Sequence, residues 1–373
     1  MRCDVLIAGA GPAGCAAAIA ARRAAPHLSV VLVDAARFPR DKPCAGAITG
    51  GGLRELERAG LALRVPHAVV SHARLRALGR EARVELPRPA AVVRRVELDD
   101  DLVQQARDAG ATVVEGAALQ ALQEDRARTG AGEISFGALV CADGAAGPSR
   151  RLLGLDPGRH ALLREARVPG APQWDLLFDL DAGVPGYAWR FPAPALAGAM
   201  AETVGVYAHE RTAGLGPALA AWLGREGLPA PEPVRWPIRL HAPGAPVGKD
   251  LGKAQALLAG EALGVDPLTG EGIRYALWSG RVAGALAAGA LARRRAPSLA
   301  EYRVRLAASR SGLALAVLSR LAGRIYGPDV RWRRLAAEPR IAAAFAAVIS
   351  GHPARLLAAG LAALVDPVRL EQR

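Results

Sequence analysis

The first 34 residues constrain this chain more than any other stretch. Cys3-Asp4-Val5-Leu6-Ile7-Ala8 reads as a buried parallel strand, Gly9-Ala10-Gly11-Pro12-Ala13-Gly14 follows, and an Ala-rich helix runs to about Arg23. A second apolar run, Ser29-Val30-Val31-Leu32-Val33, ends in Asp34. Strand, G-x-G-x-x-G, helix, strand and acid in this order predict a dinucleotide-binding βαβ unit. Gly9 permits the tight turn, and Gly11 lets a diphosphate approach the backbone N–H groups. Pro12 and Ala13 open the helix at its positive end, and Gly14 lets the helix lie close on the strand. Asp34, 20 residues beyond Gly14, is spaced to accept hydrogen bonds from a ribose. The unit serves NAD and FAD equally, so the choice falls to later segments.

Two such segments follow. Ala138-Leu139-Val140-Cys141-Ala142 is an apolar strand ending in Asp143-Gly144, and a helix is expected to open within Ala145–Arg150. Ala256-Leu257-Leu258-Ala259 is another strand, ending in Gly260-Glu261. It leads through Asp266-Pro267-Leu268-Thr269-Gly270-Glu271-Gly272-Ile273 into a long helix. That glycine-rich helix start aims backbone donors and a dipole at an electron-rich group.

In this order the three motifs resemble the FAD fingerprints of para-hydroxybenzoate-hydroxylase-type flavoproteins. The resemblance implies FAD held by the N-terminal glycine turn, by Asp143 and Gly144, and by Gly260, Glu261 and Pro267. It also implies that Gly270, Glu271, Gly272 and Ile273 lie beside the flavin pyrimidine. Arg95, in Arg95-Val96-Glu97-Leu98-Asp99, matches the arginine that such proteins use near FAD. Glu261 stands where the motif usually carries Asp.

Lys42-Pro43-Cys44-Ala45-Gly46 and Pro185-Gly186-Tyr187-Ala188-Trp189-Arg190-Phe191-Pro192 narrow the match. Together with Asp266-Pro267-Leu268-Thr269-Gly270 they resemble the geranylgeranyl-reductase family. That resemblance implies an FAD-dependent oxidoreductase that reduces C=C bonds of an isoprenoid, with the flavin re-reduced by NAD(P)H or another donor. It implies Lys42, Cys44 and Ala45 near the cofactor, and an apolar small-molecule substrate. Cys44, Tyr187 and Trp189 are the candidate catalytic residues.

The residues themselves leave alternatives. Tyr187, Trp189 and Phe191 alternate with period 2 and share a strand face, which is either core or the wall of an apolar pocket. Trp174, Phe178 and Tyr207 extend one or the other. Cys44, in a Pro/Gly-rich loop, is either a small buried filler or a proton donor near the flavin. The rival reaction is a monooxygenase (or halogenase-like enzyme) acting on a small aromatic or polyketide-type substrate. Tyr187 stands where some flavin halogenases carry the first Trp of Trp-x-Trp-x-Ile-Pro, which counts against halogenation.

Charge and cysteines bound the remaining classes. The chain carries a net charge of +13, and residues 290–373 hold 15 Arg against 5 acidic residues. That basic tail has no aromatic interleaving or recognisable binding module, so nucleic-acid binding is not expected. It reads either as a solvated helical cap or as a surface for peripheral contact with an anionic membrane. Cys3, Cys15, Cys44 and Cys141 have no C-x-x-C spacing, and with no targeting segment in view they read as reduced thiols of a cytoplasmic protein. The 7 His form no metal or triad pattern, so no metal site is expected. No apolar run reaches the roughly 18 residues of a spanning helix.

The expected architecture is α/β: a Rossmann-like FAD-binding domain, an antiparallel-sheet substrate domain and a helical C-terminal segment. The first would be discontinuous, from 1–65, 90–159 and 250–325. The second would use 66–89 and 160–249, with a hairpin near residues 73–86. Residues 326–373 form the third.

Overall fold

The computed structural model of the chain describes residues 1–170, 173–196, 199–209, 214–328 and 338–352. Two sheets organise it. In the first, Gln255–Leu258, Gly132–Cys141, Arg2–Ala8, Val30–Val33 and Thr112–Val114 lie side by side in that order, all parallel. These strands are nearly all apolar because both faces are covered, and Val5, Leu6, Ile7, Leu139 and Val140 are fully buried. Short antiparallel strands extend this sheet, Gly248–Asp250 at one edge and a ribbon of Leu119–Gln123 with Arg126–Thr129.

The chain runs from Arg2–Ala8 to Val30–Val33 on one side and later fills Gly132–Cys141 on the other. Strand order therefore reverses beside Arg2–Ala8, and a crevice opens at the carboxyl ends of the strands there. Helix Pro12–Ala24 and helix Ile273–Ala292 pack against each other, so both N-termini reach that crevice.

The second sheet has the order Val234–Arg239, His160–Pro169, Ala199–Ala208, Gly186–Leu196, Asp175–Asp179, His67–Ala77, Arg80–Val93, Ala47–Ile48. It is mixed, which corrects the expectation of a purely antiparallel sheet: Asp175–Asp179 runs parallel to His67–Ala77. No tight turn joins those two strands, since the chain leaves this sheet after Val93 and returns at His160, so hairpin geometry does not set their direction. The hairpin itself is longer than expected, pairing His67–Ala77 with Arg80–Val93. Leu78 and Gly79, at φ 51° and 70°, form the tight turn that matches the strand twist.

The helix expected after Asp143-Gly144 is a single turn, Ser149–Leu152. Gly154 at φ 63° ends it, while the Leu155 N–H returns to the Arg150 carbonyl. Toward the C-terminus, helices Leu299–Ala307, Arg310–Ile325 and Pro339–Ile349 follow. Pro339–Ile349 packs on strand Arg80–Val93 and helix Gly50–Ala59. The rest of the basic tail, including residues 329–337 and 353–373, lies outside the described residues. Among the described residues, no helix is long and apolar enough to cross a membrane.

Candidate active site

A cleft of ≈ 460 Å³ runs from the strand ends of the first sheet to one face of the second. Of the residues assigned from the sequence to the cofactor or to catalysis, all line it except Gly14 and Pro267. Gly14 instead sets the helix spacing, because a Cβ there would lie 1.8 Å from the Gly9 carbonyl oxygen. The Pro267 carbonyl accepts the Tyr207 hydroxyl at 2.7 Å and so braces the wall from behind.

At the strand-end half, Gly9 adopts φ +101°, and a Cβ on it would lie 2.4 Å from the Ala142 carbonyl. Gly11 lines the cleft, where a Cβ on it would lie 3.6 Å from Arg40 Nη2, and no side chain caps the helix that starts at Pro12, so its first N–H groups face the cleft. Asp34 is held rigidly: its two oxygens accept from Ala10 N at 2.6 Å and Ala36 N at 2.8 Å. Asp99 binds two guanidiniums, Arg95 through paired bonds of 2.8 and 2.6 Å and Arg40 at 2.9 Å. Two cations against one carboxylate leave a net positive charge beside Gly11, which suits a diphosphate. Burial works against the Arg95 charge, but Asp99 and Cys44 outweigh it and hold its pKa above the usual arginine value.

Glu261 and Lys42 face each other across the cleft at 2.7 Å, and Lys42 also lies 5.8 Å from the Trp236 ring centroid. Burial alone would raise the Glu261 carboxyl; the Lys42 ammonium prevails and keeps it below its ordinary value. Asp143 closes the neighbouring turn by accepting from Ser149 N at 2.8 Å, and burial pushes its carboxyl up. Gly260, Gly144, Ala45, Gly270, Gly272 and Ile273 complete this part of the wall. The helix that begins at Ile273 has no side-chain cap, so its N-terminal donors also point into the cleft.

The other half is aromatic. Tyr187, Trp189, Phe191 and Tyr207 are 7%, 3%, 4% and 1% exposed and all line the cleft. The face is therefore both core and pocket wall. Phe178 sits 5.4 Å from Tyr187, 5.2 Å from Phe191 and 5.6 Å from Phe345 of the C-terminal helix. Trp174 extends neither, being 54% exposed. Tyr187 donates its hydroxyl to the Thr269 carbonyl, which ties this wall to the glycine-rich turn before helix Ile273–Ala292.

Cys44 is half-buried on the cleft wall, and its N–H donates to Glu165 Oε1 at 2.5 Å. Glu165, which the sequence did not single out, is pushed up to about 7 by burial. Thr49, Trp236 and Ile349 also line the cleft without having been anticipated. Only Thr49 carried a signal, as a Thr immediately before a helix; its hydroxyl accepts from Gly52 N at 3.1 Å. Cys3, Cys15 and Cys141 are buried in the first sheet and its helix, and His241 is an inward structural residue, 2.9 Å from Ser319 Oγ. Among the described residues, no group of three or more His, Cys, Asp or Glu side chains is arranged to hold a metal ion.

Residues 2–170 match the family described as FAD binding domain. The menaquinone reductase of Mycolicibacterium smegmatis is 34% identical over 317 residues, covering 76% of each chain. The digeranylgeranylglycerophospholipid reductase 1 of Methanopyrus kandleri is 29% identical, over 78% of this chain and 82% of that protein. Among solved structures, a geranylgeranyl bacteriochlorophyll reductase-like protein of Thermoplasma acidophilum superposes with a TM-score of 0.75 at 18% identity, covering 100% of this chain and 98% of that one. The glycine turns, strand ends and uncapped helix starts that form the cleft fit FAD. With a third of its residues shared across most of its length with a curated reductase, the chain belongs to the geranylgeranyl-reductase family of FAD-dependent oxidoreductases.

Proposed function

We propose that this chain saturates isolated C=C bonds in the isoprenoid chain of a lipid. The observation that carries the reading is the continuity of one cleft, glycine turns and strand ends at one end and an aromatic wall at the other. Menaquinone and a digeranylgeranyl glycerophospholipid, the molecules named for the relatives, differ in head group and share a chain of isoprene units. An apolar aromatic wall recognises that shared chain.

When bound, FAD supplies hydride chemistry, with NAD(P)H or another reductant restoring it. The protein's own residues do the rest. In this reading Gly11 and the Arg40–Asp99–Arg95 cluster hold the diphosphate and Asp34 orients a ribose. The start of helix Ile273–Ala292 favours negative charge at its end of the cofactor. Tyr187, Trp189 and Phe178 fix the alkene and exclude water, while Cys44 closes the wall between loop and cofactor. The enzyme, reduced without oxygen, is mixed with menaquinone or with a geranylgeranyl lipid. Flavin reoxidation with a product gaining two hydrogens is expected; reoxidation only on adding oxygen and a phenol overturns the reading.

The same reading extends to the substrate's setting. Val304 and Leu313, 65% and 44% exposed, stand among the exposed Arg303, Arg305 and Arg310, a composition suited to an anionic membrane surface. Co-sedimentation with anionic vesicles, weakened in a Val304→Asp, Leu313→Asp variant, is the expected result. Equal binding by both proteins overturns it.

A further inference from the structure

We infer that Glu271 is the acid that protonates the alkene, giving its proton to the carbon that does not receive hydride. The inference rests on the reading of this protein as an alkene reductase. Glu271 lies in the turn before helix Ile273–Ala292 and lines the cleft, as do Thr269 and Tyr187. Its two oxygens have different surroundings. Oε1 accepts the Thr49 hydroxyl, whose own oxygen is taken by Gly52 N. Oε2 is buried without a hydrogen-bond partner, its nearest cation being Arg274 Nη1 at 3.8 Å. That guanidinium nitrogen already donates to the Val348 carbonyl at 3.0 Å.

A buried, charged carboxylate oxygen with no donor is costly, and the same oxygen carrying a proton, being neutral, costs far less. The charged and titratable groups around Glu271 are Arg274 on the helix that follows, Asp266 in the preceding loop, and Tyr187 and Tyr275. Burial dominates among them and pushes the Glu271 carboxyl up to about 7, against Arg274 and the Thr49 bond, with Asp266 adding to the rise. The cleft's other hydroxyl acids are engaged: Tyr187 and Tyr207 donate to the carbonyls of Thr269 and Pro267, and Tyr326 behind them donates to Leu268. Burial also raises all three phenols, which makes them poorer acids still.

The step balances. Reduced FAD gives a hydride, two electrons and one proton's mass, to one alkene carbon and becomes oxidised. The Glu271 O–H bond breaks, a C–H bond forms at the other carbon, and the π bond is consumed. Glu271 is left as carboxylate and regains its proton from solvent before the next turnover.

The test compares the FAD-loaded wild type with Glu271→Gln and Glu271→Asp. Gln keeps the volume without an acidic proton, and Asp keeps the acid. Expected are a wild-type rate of alkene reduction that falls above about pH 7, and a loss of roughly 10²-fold or more in Glu271→Gln. Asp should restore part of the rate, and scaling each variant's rate by its own flavin content and rate of flavin reduction separates the protonation step from any change in cofactor binding. An unchanged rate and pH profile in Glu271→Gln overturns the inference. A second readout needs no turnover: pH-difference infrared spectra should show a protonated-carboxyl band at about pH 6 in the wild type that is smaller by one carboxyl in Glu271→Gln, Glu165 supplying part of what remains. Equal bands in the two proteins also overturn the inference. If the wild type reduces no prenyl substrate while the bands differ, it is the reductase reading that fails.

Discussion

Gly280 lies so close to Ala13 that a Cβ on it would stand 2.0 Å from the Ala13 carbonyl oxygen. Gly284 meets Ala17 in the same way, also at 2.0 Å. Two helices from opposite ends of the chain thus touch backbone to backbone, and this contact brings the N-terminus beside Gly11 and the N-terminus at Ile273 to one cleft. Gly280→Ala should force the helices apart, costing about 1–3 kcal/mol or more. FAD affinity should fall with it, because both helix ends move. Urea unfolding and flavin titration measure the two effects; a stable variant with full affinity rejects this account of the cleft.

The carboxyl of Glu165 makes stability depend on pH. Burial raises it from an ordinary 4.5 to about 7. Between those values the folded protein binds more protons than the unfolded chain, so stability falls as pH rises from about 4.5 to 7. Glu165→Gln keeps an acceptor for the Cys44 N–H and cannot ionise. Its stability should decline less than the wild type's between pH 5 and pH 8, by on the order of 1–3 kcal/mol. Parallel pH series of unfolding curves would show identical slopes if Glu165 were ionised throughout.

Lys42 and Glu261 form a partly buried pair, their side chains 17% and 14% exposed. Lys42→Met leaves Glu261 facing the cleft without its cation and should cost roughly 2–4 kcal/mol. Adding Glu261→Gln should recover much of that loss, since the remaining charge is then removed too. A double-mutant cycle in which the two losses simply add would show that the pair is uncoupled.

Phe178 braces the aromatic wall by touching Tyr187, Phe191 and Phe345. Phe178→Ala should cost about 3–5 kcal/mol of stability through the cavity it leaves. In a protein still folded at low temperature, KM for a prenyl substrate should rise while flavin reduction proceeds at the wild-type rate. Equal KM values would remove this wall from substrate binding.

Much of the cofactor half was legible because its requirements are local. The turn at Gly9, the close approach at Gly14 and the acid at Asp34 sit at spacings that one βαβ unit dictates. Trp174 misled for the same reason in reverse. It is close in sequence to the aromatic strand, yet nothing local reveals that it points to solvent. Glu165, which holds the Cys44 N–H, and Trp236, on the cleft wall, were not legible, since each stands on a strand whose neighbours are fixed only by pairing within the second sheet.

The sequence by itself determined the parallel sheet, the glycine turns and the family to which this chain belongs, because those depend on short-range spacing of strands, glycines and acids. Tertiary structure alone decided which acids are buried and what faces them. Glu271 is one of three acidic residues in the segment Glu261–Ile273, and its neighbour Thr49 lies 222 positions away. A carboxyl's protonation follows its burial and its partners, and only the folded chain, by bringing distant segments together, supplies either.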